Sequence, residues 1–341
     1  MLDDLKYIHE RDSEDALGIA EKSWQQLEHK FDTASQVVKA DNIVYAGMGG
    51  SALAALISTS WPGYDRPFEI VRNYHIPAYV SKNTFFIASS YSGNTEETLS
   101  ALDEAMSREA SIAVITSGGK LADIARAQGY PLALLPGGIQ PRYAVFYGLK
   151  ALMTLLVGTG LVESSVETQL QQTVGYLSSK VSGLLPSVAT SSNRAKQIAL
   201  DCVGKSVVIY GGPAMYPAAY KWKINFNENA KQIAWVNQFP EFNHNEMLGW
   251  TKQPIDKPYK VIELISDLEH PRIQKRFEVA SRLLSGSMPE PLIVKPEGST
   301  LLDQLLGTIV LGDFVSLYCS LLNGLDPTPV ELIEKFKKAL E

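Results

Sequence analysis

Cysteine is almost missing from this 341-residue chain: there are two, Cys202 and Cys319. Neither stands at a metal-ligand spacing and both lie in apolar surroundings. That excludes a zinc module or a disulfide-stapled fold and reads as two buried thiols in a reducing compartment. Histidine is nearly as scarce, with five scattered residues, so the sequence offers no metal centre. An excess of positive charge is also lacking. Thirty-one Lys and Arg face 37 Asp and Glu, for a formal net charge of −6, which gives a nucleic-acid partner no support. No uncharged apolar run reaches the roughly 18 residues of a membrane span. The start, "MLDDLKYIHERDSEDA", is polar and acidic, unlike a secretory leader. The expectation is a cytoplasmic protein with neither a membrane nor a nucleic acid as partner.

What is present is an alternation of short apolar strands and helices. "NIVYAG", "FEIVRN", "NTFFIASS", "SIAVITSG" and "YPLALLP" read as strands apolar on both faces, as in a buried parallel sheet. "GGSALAALIST", "NTEETLSALDEAMSR" and "KLADIARAQG" read as the helices between them. A long apolar helix follows at "AVFYGLKALMTLLVGTG", and the pattern loosens over residues 156–190. It restarts with "KSVVIYGG", "KVIELISD" and "PLIVKPEG" as strands, and "LLDQLLGTIVLGDFVSLYCSLLNG" and "PVELIEKFKKAL" as helices. Strand–glycine–helix thus occurs twice, in "VYAGMGGSALAA" and "VIYGGPAMYPAA". The predicted fold is α/β, two doubly wound parallel-sheet domains of flavodoxin-like type, at 1–155 and 156–341.

Two loops in the first half carry the strongest chemical signal. "GMGGS" joins a strand to a helix, but Ala52 breaks the dinucleotide spacing and no P-loop lysine follows, so no nucleotide cofactor is indicated. Gly49, Gly50 and Ser51 would face Ser90, Ser92 and Thr95 of "SSYSGNTEET" across the carboxyl ends of neighbouring strands, where such sheets bind ligands. Helix N-termini and hydroxyls with no cation among them suit a small phosphomonoester. The plain alternatives are a tight packing turn for the glycines and an N-cap for Ser92 or Asn94.

The second half concentrates polar residues in "NFNENAKQIAWVNQFPEFNHNEMLGW". Asn and His are poor helix formers, so this density suggests a site around Glu228 and His244. A carboxylate in a partly dry setting can serve as a general base. Pro240 breaks the helix pattern, which puts His244 on an extended excursion. The aromatics Trp235, Phe239, Phe242 and Trp250 suit an interface there.

The hydroxyl loop after "GMGGSA" resembles the phosphosugar-binding loops of the sugar isomerase (SIS) fold. N-E-N-x-K, then F-P-E, then H-N-E, together with "PRYAVFY" and "DPTPVELIEKFKKAL", resembles the bifunctional phosphoglucose/phosphomannose isomerases of that superfamily over nearly the whole chain. The resemblance implies an aldose–ketose isomerase acting on sugar phosphates through a cis-enediol, with no metal and no cofactor. It implies Glu228 as the proton carrier between C1 and C2 and Arg142 as stabiliser of the enediolate. It implies Ser51, Ser90, Ser92 and Thr95 as phosphate ligands, with Gly50 beside them. His244 would assist ring opening in the site of a second subunit, so the protein would be a homodimer with a shared active site. A lysine of the last helix completes the set. Val330, Ile333, Lys337 and Leu340 share one stripe, which favours Lys337 with its stem inward and leaves Lys335 as the other candidate. The resemblance also implies that use of both sugars goes with a small hydroxylated residue near that lysine. Spacing from Lys337 falls on Val330, with Thr328 the nearest hydroxyl. The alternative reading is a non-catalytic phosphosugar-binding regulatory protein of SIS type.

Overall fold

The computed structural model describes residues 1–33, 36–252 and 258–340, and divides into two compact units, Lys22–Gly175 and Met1–Glu21 with Tyr176–Glu341. The chain begins in the second of these with helices α1 (Leu5–Arg11) and α2 (Ala16–Glu21). The first unit then runs β1 (Asn42–Gly47), α3 (Gly49–Ser60), β2 (Phe68–Val71), β3 (Thr84–Ser89), α4 (Glu96–Ser107), β4 (Ser111–Thr116), α5 (Gly119–Gln128), β5 (Leu132–Leu134) and α6 (Val145–Gly158). The boundary falls inside α7 (Ser165–Ser182). The second unit continues with α8 (Arg194–Cys202), β6 (Ser206–Gly211), α9 (Tyr216–Glu228), β7 (Ala234–Gln238), α10 (Glu246–Gly249), β8 (Tyr259–Leu264), α11 (Pro271–Leu283), β9 (Leu292–Val294), α12 (Leu301–Leu322) and α13 (Glu331–Leu340).

The sheets are separate and wholly parallel, in the orders β2-β1-β3-β4-β5 and β7-β6-β8-β9. Central strands β1, β3 and β4 are buried along nearly their whole length, as strands covered by helices on both faces must be. In each sheet the winding direction reverses once, between β1 and β3 and between β6 and β8, and it is outside the carboxyl ends at such a point that these folds bind ligands.

The first 21 residues fold with the C-terminal half for a visible reason. Lys196, fully buried in α8, donates to Asp3 Oδ1 at 3.0 Å and to the carbonyls of Pro186 and Val188, each at 2.8 Å. Asp3 also accepts from Thr190 N at 2.9 Å. Helix α12 is long and apolar enough to cross a membrane by length and composition, but 94% of its most apolar window is buried inside the protein. Its composition is that of a core helix.

Two expectations about the 234–250 segment need correction. His244 does not lie on an extended excursion: Glu241–His244 is a 3₁₀ turn, with α10 directly after it. Phe239, Phe242 and Trp250 do not offer an interface. They pack with Tyr210 and Phe277 in the core of their own unit, and of the four aromatics only Trp235 is exposed.

Candidate active site

The first reversal point is built by the two loops singled out from the sequence. Gly47 at the end of β1 lies in register with Ser89 at the end of β3, so the glycine turn and the hydroxyl loop leave the sheet side by side. Ser51 Oγ accepts from Tyr91 N at 3.0 Å, which ties the loops together. Ser90 Oγ lies 2.7 Å from Thr95 Oγ1 and 3.4 Å from Ser92 Oγ, and accepts from Gly93 N at 3.1 Å. Gly93 is required: its φ is +71°, and a Cβ there would sit 1.8 Å from Gly118 O.

The hydroxyls do not serve as helix caps. Thr95 is the N-cap residue of α4 yet makes no side-chain bond to the helix, and Met48, which starts α3, offers none. Both helices therefore present first-turn N–H groups without a side-chain acceptor, and their dipoles favour an anion. Glu96 and Glu97 in the first turn of α4 act in the opposite sense on an incoming anion, and Tyr74 OH donates to Glu96 Oε2 at 3.0 Å.

A buried cation lies elsewhere in the same unit. Arg142, 1% exposed, lies in a 3₁₀ turn, Pro141–Tyr143. That turn packs on the start of α3, where a Cβ on Gly50 would lie 2.8 Å from Pro141 C and 3.0 Å from Arg142 N. The guanidinium rests over the Tyr143 ring, 4.6 Å from its centroid. Tyr91 braces the arrangement and was not singled out from the sequence. Its hydroxyl donates to Pro136 O at 2.9 Å and accepts from Ile139 N at 3.3 Å, just ahead of the Arg142 turn. Burial raises the Tyr91 phenol above its ordinary range, so it stays a neutral hydrogen-bonding group.

The second reversal point is closed. Glu269, buried in the loop after β8, places Oε2 on the glycine turn after β6: it accepts from Ala214 N at 2.9 Å, and a Cβ on Gly212 would lie 2.3 Å from it. An internal carboxylate fills the place where the first unit leaves an anion room.

In the second unit Glu228 is the last residue of α9 and is half-buried. Its polar neighbours shape the turn that follows. Asn227 Nδ2 donates to Gln232 O at 2.9 Å, and Gln232 N donates to Phe226 O at 3.0 Å. Lys231, at φ +51°, sends Nζ to the carbonyls of Asn229, Asp326 and Pro327 at 3.2, 3.0 and 3.1 Å. His244 is exposed at the end of its 3₁₀ turn. The other carboxylates of this segment are engaged: Glu246 accepts from Tyr210 OH and, at 2.6 Å, from Asn237 Nδ2, and Glu241 accepts from Asn245 Nδ2 at 2.5 Å.

Lys337 does not run inward as its stripe suggested. Helix α13 buries none of its residues, and Lys337 Nζ meets Glu334 Oε1 at 3.0 Å, an i, i+3 pair on an exposed surface. Lys335 is likewise exposed, 3.8 Å from Glu331. Thr328 is buried and Val330 half-buried. Sequence reading also missed Glu263, a carboxyl 1% exposed on β8, which burial pushes up to about 7. A glutamate inside "KVIELISD", otherwise a buried strand, was the available signal. Among the described residues no group of three or more His, Cys, Asp or Glu is placed to hold a metal ion.

Paired parallel sheets with an uncapped, hydroxyl-lined reversal point define an α/β protein of the phosphosugar-binding SIS class. Comparison with known proteins narrows this. Residues 191–340 match the model of the bacterial phospho-glucose isomerase C-terminal SIS domain. The chain is 36% identical over 328 residues to the bifunctional phosphoglucose/phosphomannose isomerase of Caldicellulosiruptor bescii, covering 93% of this chain and 96% of the relative. It is 36% identical over 317 residues to the protein of the same name from Thermoplasma volcanium, covering 91% and 95%. The crystal structure of a glucose-6-phosphate isomerase like protein from Thermus thermophilus superposes with a TM-score of 0.67 at 17% identity, covering 99% of this chain and 98% of that one, which shows the common fold. The chain belongs to the bifunctional phosphoglucose/phosphomannose isomerase family. Neither the family nor these relatives support the reading as a non-catalytic regulator.

Proposed function

We propose that this protein interconverts glucose 6-phosphate and mannose 6-phosphate with fructose 6-phosphate. The observation that carries the proposal is the pair of uncapped helix starts beside Ser51, Ser90, Ser92 and Thr95, with open space beside Gly49. Such a cradle takes a phosphate dianion without a bound metal. The carboxylate of Glu228 takes the proton from C2 of the open-chain aldose. The C1 carbonyl oxygen gains the negative charge, and the enediolate forms in the cis arrangement. Arg142 balances that charge, the hydroxyl proton passes from O2 to O1, and Glu228 returns the carbon proton to C1 to give the ketose. Return to either face of C2 gives the glucose or the mannose epimer. The hydrogen moves within the sugar, so no oxidant, reductant or cofactor is consumed.

His244 is assigned to ring opening, in the site of a second copy of the chain, and a lysine of α13, Lys337 or Lys335, completes the set. The protein is then a cytoplasmic homodimer. The catalytic assignment is tested by Glu228→Gln, which keeps shape and hydrogen bonding but removes the base. Its kcat for forming both aldoses from fructose 6-phosphate is expected to fall by at least about 10²-fold, the lower end of what a general base supplies. The variant should still bind a hydroxamate mimic of the enediolate. A near-normal kcat would remove Glu228 from the role, and a wild-type protein that forms one aldose alone would be confined to that sugar.

A further inference from the structure

Helix α9 turns two polar side chains inward that the proposed chemistry does not use. Lys221 and Asn225 are 1% and 0% exposed. Lys221 Nζ donates to Asn225 Oδ1 at 3.1 Å and pairs with Asp313 Oδ1 of α12, which also accepts from Asn225 Nδ2 at 2.5 Å. One turn further, Asn229 Nδ2 donates to Ser316 Oγ at 2.9 Å, and Ser316 Oγ donates to Asp313 O at 2.8 Å. Toward the start of α9, Trp222 Nε1 donates to Thr308 O at 2.8 Å. There Gly312 lets the helices touch, since a Cβ would lie 2.1 Å from the indole nitrogen. Residues 222, 225 and 229 meet 308, 313 and 316 in the same order, so the helices run in one direction along a polar seam inside an apolar core.

Such a seam is a poor way to add stability. Removing two charges from water offsets most of their attraction, and apolar residues of similar volume often do as well or better. It is an effective way to fix register. A slide of one turn, about 5.4 Å, would bury Lys221 and Asp313 without each other. Glu228 comes three residues after Asn225 and one before Asn229, so its backbone is held to α12 on both sides.

We infer that Lys221, Asn225, Asp313 and Ser316 are positioning residues that set the register and rotation of α9 on α12 and so aim the Glu228 carboxylate at its substrate. The inference rests on the reading of Glu228 as the base. Displacements of about 1 Å can lower a rate by about 10²-fold, which makes kcat the sensitive readout.

The test is the double variant Lys221→Met with Asp313→Leu, which removes both charges together, assayed by thermal melting and by kinetics on fructose 6-phosphate. The melting midpoint is expected to fall, since the buried Asn225 amide loses both partners, KM to remain within about twofold, and kcat to fall at least about tenfold. A folded double variant with wild-type kcat overturns the inference. Should that protein fail to fold, Ser316→Ala keeps the ion pair and removes the hydroxyl that joins Asn229 to the Asp313 carbonyl. It should lower kcat severalfold at constant KM, and an unchanged kcat there overturns the inference equally. Glu228→Gln measured in parallel separates the two readings. If it stays active, the base assignment fails and takes the seam's purpose with it. If it is dead while the seam variants turn over normally, only the seam inference fails.

Discussion

Single atoms decide whether the reversal point of the first unit can work. Gly50 has no side chain, and the Pro141–Tyr143 turn uses that space: an added Cβ would stand 2.8 Å from Pro141 C and 2.9 Å from its oxygen. Those are backbone atoms and cannot rotate aside. Gly50→Ala is therefore expected to push the Arg142 turn away from α3, destabilising by about 1–3 kcal/mol, the usual range for overpacking. It should also lower kcat/KM by more than that loss of stability explains. Unaltered kinetics in a folded variant would separate Arg142 from the chemistry. Glu263 acts at the same scale but on stability. Burial lifts its carboxyl from an ordinary 4.5 to about 7. A folded-state value above the unfolded one means that the fold prefers the protonated acid. Stability is therefore full below about pH 4.5 and is lost as the pH rises through about 7. Taking about 1.4 kcal/mol per pH unit, the ionised carboxylate costs about 3 kcal/mol at pH 8. Glu263→Gln, a neutral analogue of the acid, should stabilise the protein in urea unfolding at pH 8 and scarcely at pH 5. Equal effects at both would mean that the carboxyl is solvated.

At the scale of elements, α4 shows why capping and ligand binding exclude each other. An N-cap side chain occupies the very N–H groups that an anion needs. Thr95 caps nothing and turns its hydroxyl to Ser90. Thr95→Asp should supply the missing cap, worth about 0.5–2 kcal/mol, while its negative charge opposes the phosphate. The expected result is a melting midpoint equal or higher with a KM for fructose 6-phosphate raised at least about tenfold, as befits lost ground-state binding of an anion. A KM that stays put would move the phosphate away from α4. The same elements show how far the sequence could be read. Strands β1, β3, β4 and β6 were legible because burial on both faces makes them nearly continuous apolar runs, and β8 because Val261, Ile262 and Leu264 keep most of such a run. Strand β7, "AWVNQ", was not. It is an edge strand with Trp235 exposed and only Ala234 buried, so it carries no apolar run. Helix α11 went unassigned although Ile273, Phe277 and Ala280 form a stripe behind Pro271, because most of its other residues are polar. At the site, the hydroxyl loop could be read since its residues are adjacent in sequence. The approach of Gly50 to Arg142 and the plug of Glu269 on Gly212 could not, because each joins segments far apart in the chain.

Assembly belongs to the whole molecule, and here the structure moves the argument to different residues. Phe239, Phe242 and Trp250 are enclosed in their own core and give a partner nothing to hold. Exposed apolar groups of the segment that carries His244 include Trp235 and Leu248, 50% and 76% exposed. Farther along the chain, α13 exposes Leu332, Phe336 and Leu340 on a helix that buries nothing. A dimer that shares its sites would use such surfaces, and it makes a prediction that no single-chain enzyme satisfies. Glu228→Gln and His244→Ala chains are each expected to be nearly inactive alone. Mixed in equal amounts and allowed to exchange, half of the dimers should be hybrids. Each hybrid pairs one intact Glu228 with one intact His244 at one of its two sites, so activity should return to roughly a quarter of wild type. The measurement is kcat at saturating fructose 6-phosphate before and after exchange, with exchange followed independently by a size tag on one chain. Recovery would assign His244 to the neighbouring subunit's site. Proven exchange without recovery would place Glu228 and His244 in the same chain's site, and the enzyme would then have no catalytic need of its partner.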